Sequence, residues 1–183
     1  MEGLMRLKAM AKINLGLDVL GKREDGYHEV RMIMQTIRMY DILDIRKTRR
    51  PGIVLTTNLP FIPTDQRNLV YKAAQMLMEE FDVEEGLSIK LRKFIPVAAV
   101  MAGGSSDAAA AFVGVNRMFH LGLTEEQLME RAVKVGADVP YCIMRGTALA
   151  EGIGEKLTRL PGLPKCYVLV GKPGINVSTK LAY

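Results

Sequence analysis

Residues 95–112 of this chain read IPVAAVMAGGSSDAAAAF, an apolar stretch followed by small residues and an alanine-rich run of helical composition. Gly103 and Gly104 allow the backbone to approach a ligand closely, and Ser105 and Ser106 supply hydroxyl donors. A helix that begins just after them presents unpaired N–H groups and the positive end of its dipole, which attract phosphate. The stretch therefore predicts a phosphate-binding loop. Taken alone, it matches neither GxxxxGK[ST] nor GxGxxG, and a serine-capped turn between a strand and a helix explains it about as well.

Strand patterns lie on both sides of this loop. The alternation of apolar and polar residues in MRLKAMAKINLGLDVLG (5–21) predicts a strand, and Asp25-Gly26 predicts a turn after it. Further strands are predicted at VRMIMQTIRM (30–39), ILDIRKT (42–48), IVLTT (53–57), GLSIKLRKFIP (86–96), VPYCIMRGTALAEGIGE (139–155) and YVLVGKP (167–173).

Helix patterns are interleaved with the strands. Asp65 is the predicted N-cap of a helix over residues 66–81, and the alanine-rich run predicts a second helix over residues 105–119. Thr124 and Gln127 form the capping box of a third helix that runs to residue 135, where Gly136 stops it. Because strands and helices do not alternate regularly, the predicted class is α+β, with helices packed on a mixed sheet.

The composition is that of a soluble globular protein. Of the 183 residues, 49% are hydrophobic and 25% are charged, which are ordinary values. No apolar run approaches the roughly 20 residues of a membrane-spanning helix, and the charges in MEGLMRLKAM argue against a signal peptide. Cys142 and Cys166 lack the spacing of metal ligands and are predicted to be reduced thiols. We therefore expect a cytoplasmic protein with no membrane partner.

The net charge of +5 is concentrated in short clusters. RKTRR at 46–50 carries most of the surplus, and LRK at 91–93 adds to it. Such clusters bind nucleic acid or a small polyanion such as a nucleotide, or they are solvated strand ends. The chain has no Trp, and no aromatic residues interleave with these charges, so a base-stacking nucleic-acid surface is not favoured.

The stretch PVAAVMAGGSSDAAAAF (96–112) resembles the glycine-rich phosphate loop of the GHMP kinases. AKINLGLDVLGKREDGYHEV (11–30), VGADVPYCIMRGTALAEGIGEKL (135–157) and KPGINVSTKLAY (172–183) resemble blocks of the branch of that family that acts on 4-diphosphocytidyl-2-C-methyl-D-erythritol in non-mevalonate isoprenoid biosynthesis. The resemblance implies a GHMP amino-terminal domain, a mixed sheet with helices on one side like the second domain of ribosomal protein S5. It places that domain at residues 1–165 and the start of a truncated carboxy-terminal domain at residues 166–183.

The resemblance also implies an activity, which is transfer of the γ-phosphate of ATP to a substrate hydroxyl. Lys12 and Asp138 match the family's catalytic pair. Their chemistry suits the reaction, since a carboxylate accepts the hydroxyl proton and a cation stabilises developing charge. Mg²⁺ is expected to accompany ATP, although the sequence shows no metal cage. The implied ATP-binding residues are Pro96, Val97, Ala98, Ala99, Val100, Met101, Ala102, Gly103, Gly104, Ser105 and Ser106.

The substrate implied by the resemblance is a small molecule, a cytidine diphosphate derivative. Asn14 is two residues beyond Lys12, so it faces the same side of the strand and is expected to orient the substrate. The resemblance assigns Tyr27 to stacking on the cytosine and His28 to hydrogen bonding with its edge. Thr179 and Tyr183 match further residues that line the substrate pocket.

Val100 departs from the family pattern, which usually has glycine at this position. A β-branched residue resists positive φ and adds bulk beside a bound nucleotide. If the backbone at this position has positive φ, the strain costs about 1–3 kcal/mol, which predicts weakened ATP affinity.

Two alternatives remain open at this point. One is a kinase of the same fold that acts on another small alcohol, against which the DGYHE block argues. The other is a non-catalytic module that binds a nucleotide or RNA. No oligomeric state is predicted.

Overall fold

The computed structural model describes residues 3–171, which contain six strands and four helices. The strands are β1 (Met5–Lys22), β2 (His28–Thr48), β3 (Ile53–Thr57), β4 (Gly86–Arg92), β5 (Thr147–Gly152) and β6 (Lys156–Leu160). The helices are α1 (Leu69–Glu80), α2 (Gly103–Met118), α3 (Glu125–Ala132) and α4 (Val139–Met144). In this part of the chain no helix is long and apolar enough to cross a membrane.

β1 and β2 form a long antiparallel hairpin around the predicted turn at Asp25-Gly26. β2 is one continuous strand of 21 residues, so the prediction of two strands at 30–39 and 42–48 was wrong. The sequence suggested a break because Asp41 interrupts the apolar pattern. The strand continues through Asp41 because its buried carboxylate is satisfied by hydrogen bonds from Lys93 and from the backbone of Phe94 and Ile95.

β2 is the centre of the sheet and has different neighbours along its two halves. β1 pairs with one edge of β2, while the other edge pairs with β5 over residues 30–35 and with β4 over residues 42–48. β3 lies parallel to β4, and the remaining pairs are antiparallel. The sheet is therefore mixed, and the α+β prediction is confirmed.

One face of the sheet is covered by the helices. Leu43 and Ile45 of β2, and the alternate residues Leu87, Ile89 and Leu91 of β4, are buried in the core. Helix α2 lies directly against this face. The alanines of its first turns are buried, and their small side chains let the helix pack closely against both the sheet and α1.

The position of α2 also depends on a glycine. A Cβ at Gly114 would lie 2.4 Å from Ile45 Cδ1 and 2.7 Å from Leu7 Cδ1. Both distances are well below van der Waals contact, so a side chain here would push the helix or the sheet residues away. Gly114 thus permits the close approach of the carboxy-terminal half of α2 to the sheet.

The predicted strand at 139–155 was wrong in its first half, which forms helix α4. All six residues of α4 are buried, and a short apolar run that is buried on every side gives no periodicity to separate helix from strand. Pro140 fits the first turn of the helix, where no N–H is required. Arg145 and Gly146 then adopt positive φ and end the helix before β5.

Other boundaries also differ from prediction. Helix α1 begins at Leu69 with Asn68 as its N-cap, because the side chain of Asp65 is engaged with Arg67 instead. The capping box of Thr124 is confirmed, although α3 ends at residue 132 rather than 135. β6 was not predicted. The described part of the strand predicted at 167–173, residues 167–171, is not in a strand.

Candidate active site

The loop between β4 and α2 has an alternating backbone conformation. Ala98, Val100 and Ala102 have φ values of +56°, +58° and +53°, whereas Ala99 and Met101 between them are not in the left-handed region. Alternation of this kind turns successive N–H groups into a concave nest that binds anions. The predicted phosphate loop therefore has a backbone suited to that role.

Val100 occupies a strained position in this loop. Its φ of +58° meets the condition set out above for strain, since a β-branched residue is rarely found in the left-handed region. Its side chain is exposed, whereas Met101 is buried against Ala11 and Ile95. The loop is thus anchored by Met101 and strained at Val100.

The first turn of α2 leaves its amides uncapped. Ala102 is the N-cap residue and supplies no side-chain hydrogen bond, so the first N–H groups are available to a ligand. A Cβ at Gly103 would lie 3.2 Å from both Lys93 Nζ and Ile95 Cγ2, whereas one at Gly104 would meet only Leu69 at 3.7 Å. Of the two glycines, Gly103 is the one that packing requires.

The two serines of the loop have different surroundings. Ser106 is buried, and its hydroxyl donates a hydrogen bond to the carbonyl oxygen of Met10 and lies 3.4 Å from Cys142 Sγ. This hydroxyl joins α2 to β1, so its proton is already engaged, and ATP binding by Ser106 stays a prediction. Ser105 is half-buried and lies in the first turn of α2.

A pocket of about 330 Å³ opens beside the loop. It is lined by loop residues 96–104, by Ile62 and Pro63, by the start of α1, and by the charged side chains of Lys93 and Asp107. Cavities of this size hold small ligands. All loop residues predicted to bind ATP, except Ser105 and Ser106, line this pocket.

Lys12 and Asp138, which are far apart in the sequence, meet beside the loop. Lys12 Nζ lies 3.7 Å from Asp138 Oδ2 and donates a hydrogen bond of 3.0 Å to Asn14 Oδ1. The side chain of Lys12 is only 4% exposed, while that of Asp138 is 33% exposed. The Lys12 ammonium is thus shielded from solvent, whereas the Asp138 carboxylate is partly exposed to it.

Helix α4 places Asp138. Its Tyr141 hydroxyl donates to the carbonyl oxygen of Gly146 at 2.7 Å and lies 3.1 Å from Thr36 Oγ1, and Thr36 is the residue that pairs with Lys12 in the hairpin. Burial raises the pKa of the Tyr141 hydroxyl to about 12, so it remains a hydrogen-bond donor at neutral pH. Asp138 is the N-cap residue of α4 but its side chain makes no capping hydrogen bond, which leaves the carboxylate available.

The remaining predicted substrate residues are not all near this pair. Asn14 contacts Lys12 and also donates to Met32 Sδ at 3.6 Å. Tyr27 is exposed at the tip of the hairpin, and His28 pairs with Lys22 at the far end of β1. Lys22, the partner of His28, is ten residues along β1 from Lys12, so Tyr27 and His28 lie at the end of the strand, away from the Lys12–Asp138 pair. Thr179 and Tyr183 lie outside the described residues.

Sequence reasoning missed a buried ionic cluster next to the pocket. Lys93 Nζ donates hydrogen bonds to Asp41 Oδ2 at 2.5 Å and to Asp107 Oδ2 at 2.6 Å. Burial raises the pKa of the Asp107 carboxyl well above its usual value, against the opposing effect of the Lys93 ammonium. Burial alone would lower the pKa of Lys93, but Asp107 and Asp41 together raise it. The signal in the sequence was an aspartate within the apolar run YDILDI.

Among residues 3–171, no group of three or more His, Cys, Asp or Glu side chains is arranged to hold a metal ion.

The family follows from comparison with known proteins. The model of the GHMP kinases N terminal domain matches residues 68–146, which include the loop, the pocket-lining start of α2 and Asp138. The chain has the fold of a GHMP kinase amino-terminal domain. The first sequence block of this GHMP domain, with Lys12, precedes the matched residues and is supplied by β1.

Relatives of the GHMP domain point to one branch of the family. The chain is 57% identical over 179 residues to a protein of Lachnospira eligens and 56% identical over 180 residues to one of Lachnoclostridium phytofermentans, both named 4-diphosphocytidyl-2-C-methyl-D-erythritol kinase. Each comparison covers 98% of this chain and 62% of the relative. The chain therefore spans about 62% of the length of these curated relatives.

Solved structures agree on the fold. A crystal structure of 4-(cytidine 5'-diphospho)-2C-methyl-D-erythritol kinase is similar with a TM-score of 0.75 and 35% identity, over 85% of this chain and 55% of that one. Homoserine kinase from Cytophaga hutchinsonii is similar with a TM-score of 0.71 over 88% of this chain and 53% of that chain, at 18% identity, which shows the shared fold only.

Proposed function

We propose that this chain is the amino-terminal part of a kinase that transfers the γ-phosphate of ATP to a hydroxyl of 4-diphosphocytidyl-2-C-methyl-D-erythritol. The observation that carries the proposal is the pairing of Lys12 with Asp138 beside a loop whose alternating φ values suit an anion-binding nest. The names of the relatives support the choice of substrate. A cytoplasmic location, and a small molecule rather than nucleic acid as partner, belong to the same proposal.

The loop supplies the phosphate site. Its N–H groups and those of the uncapped first turn of α2 hold the terminal phosphates of ATP. These donors are oriented before the reaction begins, so they need not rearrange as charge develops on the phosphate. The pocket of about 330 Å³ beside it takes the rest of the nucleotide. GHMP kinases as a family use ATP, which supports this assignment.

Asp138 is the proposed base. Its carboxylate accepts the proton of the substrate hydroxyl, while the hydroxyl oxygen forms a bond to the γ-phosphorus and the bond between that phosphorus and the β–γ bridging oxygen breaks to release ADP. Lys12 stabilises the negative charge that develops on the transferred group. Asn14 holds the Lys12 ammonium through the 3.0 Å hydrogen bond.

Mg²⁺ belongs to the proposal only as a companion of ATP. Among residues 3–171, no group of three or more His, Cys, Asp or Glu side chains is placed to hold the ion, so it would enter the site together with the nucleotide. A bound divalent ion offsets phosphate charge.

The proposed domain boundary lies near residue 165. β6 ends at Leu160, and residues 161–171 are in no helix or strand. This supports a GHMP domain at 1–165, with residues 166–183 as the proposed start of a second domain.

An ADP-release assay with ATP and the cytidylated substrate tests the function. We expect turnover that CDP inhibits by competition with the substrate. Turnover with other small alcohols, without inhibition by CDP, would favour a different substrate. Salt-sensitive binding of RNA in a filter assay, without nucleotide binding, would contradict the proposal.

A further inference from the structure

The buried cluster of Asp41, Lys93 and Asp107 joins three separate segments at the base of the loop. Asp41 lies in β2, Lys93 follows the last residue of β4, and Asp107 lies in the first turns of α2. All three side chains are buried, and Asp41 is 0% exposed. A buried ion pair usually contributes little net stability compared with apolar residues, because desolvation opposes the attraction between the charges. The position of the cluster therefore needs another explanation.

The entrance of the loop is fixed by Asp41. Its Oδ1 accepts hydrogen bonds from the N–H groups of Phe94 and Ile95, at 2.5 and 2.8 Å, while its Oδ2 accepts one from Lys93 Nζ. The carboxylate thus holds the chain as it leaves β4. Its partners are the backbone donors that would otherwise be unsatisfied at the end of the strand.

The exit of the loop is fixed by the same ammonium. Lys93 Nζ donates to Asp107 Oδ2 at 2.6 Å. The same nitrogen is also close to Gly103, because a Cβ on that glycine would lie only 3.2 Å from it. The first residue of α2 therefore packs directly on the group that is bonded to the entrance. One side chain contacts both ends of the loop.

The cluster carries one more carboxylate than ammonium. The charged groups that face Asp107 are Lys93 and Asp41, and Arg67 of the same pocket wall is paired with Asp65. Asp107 Oδ1 is buried and has no hydrogen-bond partner among the described residues. A carboxyl group in that setting is stabilised by a proton, and an unpaired buried polar atom is rare enough to require an explanation.

We infer that Lys93 is a positioning residue that, with Asp41 and Asp107, clasps both ends of the phosphate loop and sets the loop's nucleotide-binding shape. The role in nucleotide binding rests on the function proposed above, whereas the clasp itself does not. Because Lys93 and Asp107 line the pocket, loss of the Asp107 proton places an extra negative charge beside the site of the phosphates. Nucleotide affinity then falls as the pH rises.

Hydrogen exchange of the loop amides, measured without nucleotide, tests the clasp. We expect Lys93→Met to accelerate exchange by about tenfold or more at the hydrogen-bonded amides that flank the loop, those of Phe94 and Ile95 on Asp41 Oδ1 and that of Ser106 on the carbonyl oxygen of Ala102, while amides of β1 and β5 keep their protection. Arg131→Met is the matched control, since Arg131 forms an ion pair with Glu80 between α3 and α1, and it should leave the loop unchanged. Unaltered loop exchange in folded Lys93→Met would overturn the inference.

Asp107→Asn provides a second, more conservative variant, which keeps an oxygen for Lys93 but cannot ionise. ADP affinity of the natural protein, measured by calorimetry, should weaken as the pH rises through the raised pKa of the folded Asp107, and this dependence should be reduced in Asp107→Asn. Equal pH profiles in the two proteins would overturn the proton's part in the clasp. If neither protein binds ADP, the proposed function fails, and the exchange result still decides the clasp.

Discussion

The backbone N–H of Lys12 donates a hydrogen bond of 3.2 Å to the carbonyl oxygen of Met101. This contact joins the strand that carries the proposed catalytic lysine to the middle of the phosphate loop. Met101 is in turn buried against Ala11 and Ile95, so the strand and the loop form one packed unit. The Lys12 ammonium and the loop amides are therefore held in a fixed relation, which the phosphoryl-transfer geometry requires.

Replacement of Asp138 should remove the proposed base. We expect Asp138→Asn to lower kcat by about 10²–10⁴-fold with a small change in the KM for ATP, in the ADP-release assay. Asp65→Asn is a suitable control because Asp65 is an exposed acid paired with Arg67. Comparable kcat values for Asp138→Asn and the natural protein would exclude Asp138 as the base.

Replacement of Val100 should relieve backbone strain. Val100→Gly removes a β-branched side chain from a φ of +58°, and a relief of about 1–3 kcal/mol corresponds to roughly a five- to 150-fold gain in ATP affinity if it is expressed in binding. Calorimetric titration with ATP measures this. Val97→Gly is the matched control, since Val97 has no positive φ. An equal gain in both variants, or in neither, would contradict the role of strain at Val100.

The two glycines at the start of α2 should respond differently to alanine. Gly103→Ala places a Cβ 3.2 Å from Lys93 Nζ and Ile95 Cγ2, so we expect a loss of about 1–3 kcal/mol in the free energy of unfolding. Gly104→Ala makes only an ordinary contact with Leu69 and should gain up to about 1 kcal/mol from helix propensity. Urea denaturation gives the free energy of unfolding of both variants. If Gly103→Ala were the more stable of the two, the side chains of Lys93 and Ile95 would have moved aside for the added Cβ.

The raised pKa of Asp107 should make stability fall with rising pH. The folded state holds a proton on Asp107 at pH values where the unfolded chain, with a pKa near 3.8, has lost it. Stability therefore decreases as the pH rises from that value through the folded pKa, and Asp107→Asn should show a flatter profile by urea denaturation.

Asp65→Asn is again the control for this measurement. Arg67 lowers the pKa of the Asp65 carboxyl to about 2, so Asp65 is ionised in both states above about pH 5. Its removal should leave the slope of stability against pH unchanged there. A slope that is the same in the natural protein and Asp107→Asn would rule out the proton on Asp107.

The two cysteines should differ in reactivity. Burial raises the pKa of the Cys142 thiol to about 12, whereas Cys166 is exposed. Because the thiolate is the reactive form, we expect an aromatic disulfide reagent to label Cys166 rapidly and Cys142 only on unfolding. Cys166→Ser should abolish the fast phase. A fast phase that persists in Cys166→Ser would mean that α4 opens readily.

The sequence predicted those parts of the fold that have a local signal. The period-two pattern of β1 and the capping box at Thr124 were confirmed because alternation and caps are set by neighbouring residues. Helix α4 and the continuity of β2 were not predicted, because both depend on burial among distant segments. VPYCIM carries no periodicity, and Asp41 breaks the pattern of β2 until Lys93 is folded against it.

The candidate site also contains a part that the sequence predicted and a part that it did not. The loop and the Lys12–Asp138 pair were predicted through their resemblance to a family, since no spacing in the sequence brings residues 12 and 138 together. The clasp was missed because Asp41, Lys93 and Asp107 have no common motif. They meet only because β2, β4 and α2 converge at the loop.

The two-sided pairing of β2 has a consequence for how the protein is made. During synthesis the hairpin of β1 and β2 leaves the ribosome before β4 and β5, and one edge of β2 has no partner until residues 86–92 and then 147–152 have emerged. A long unpaired strand edge in a nascent chain can form backbone hydrogen bonds with other nascent chains and so promote aggregation. Translation speed through the codons for residues 49–152, or a chaperone that covers that edge, should therefore affect the yield of native protein.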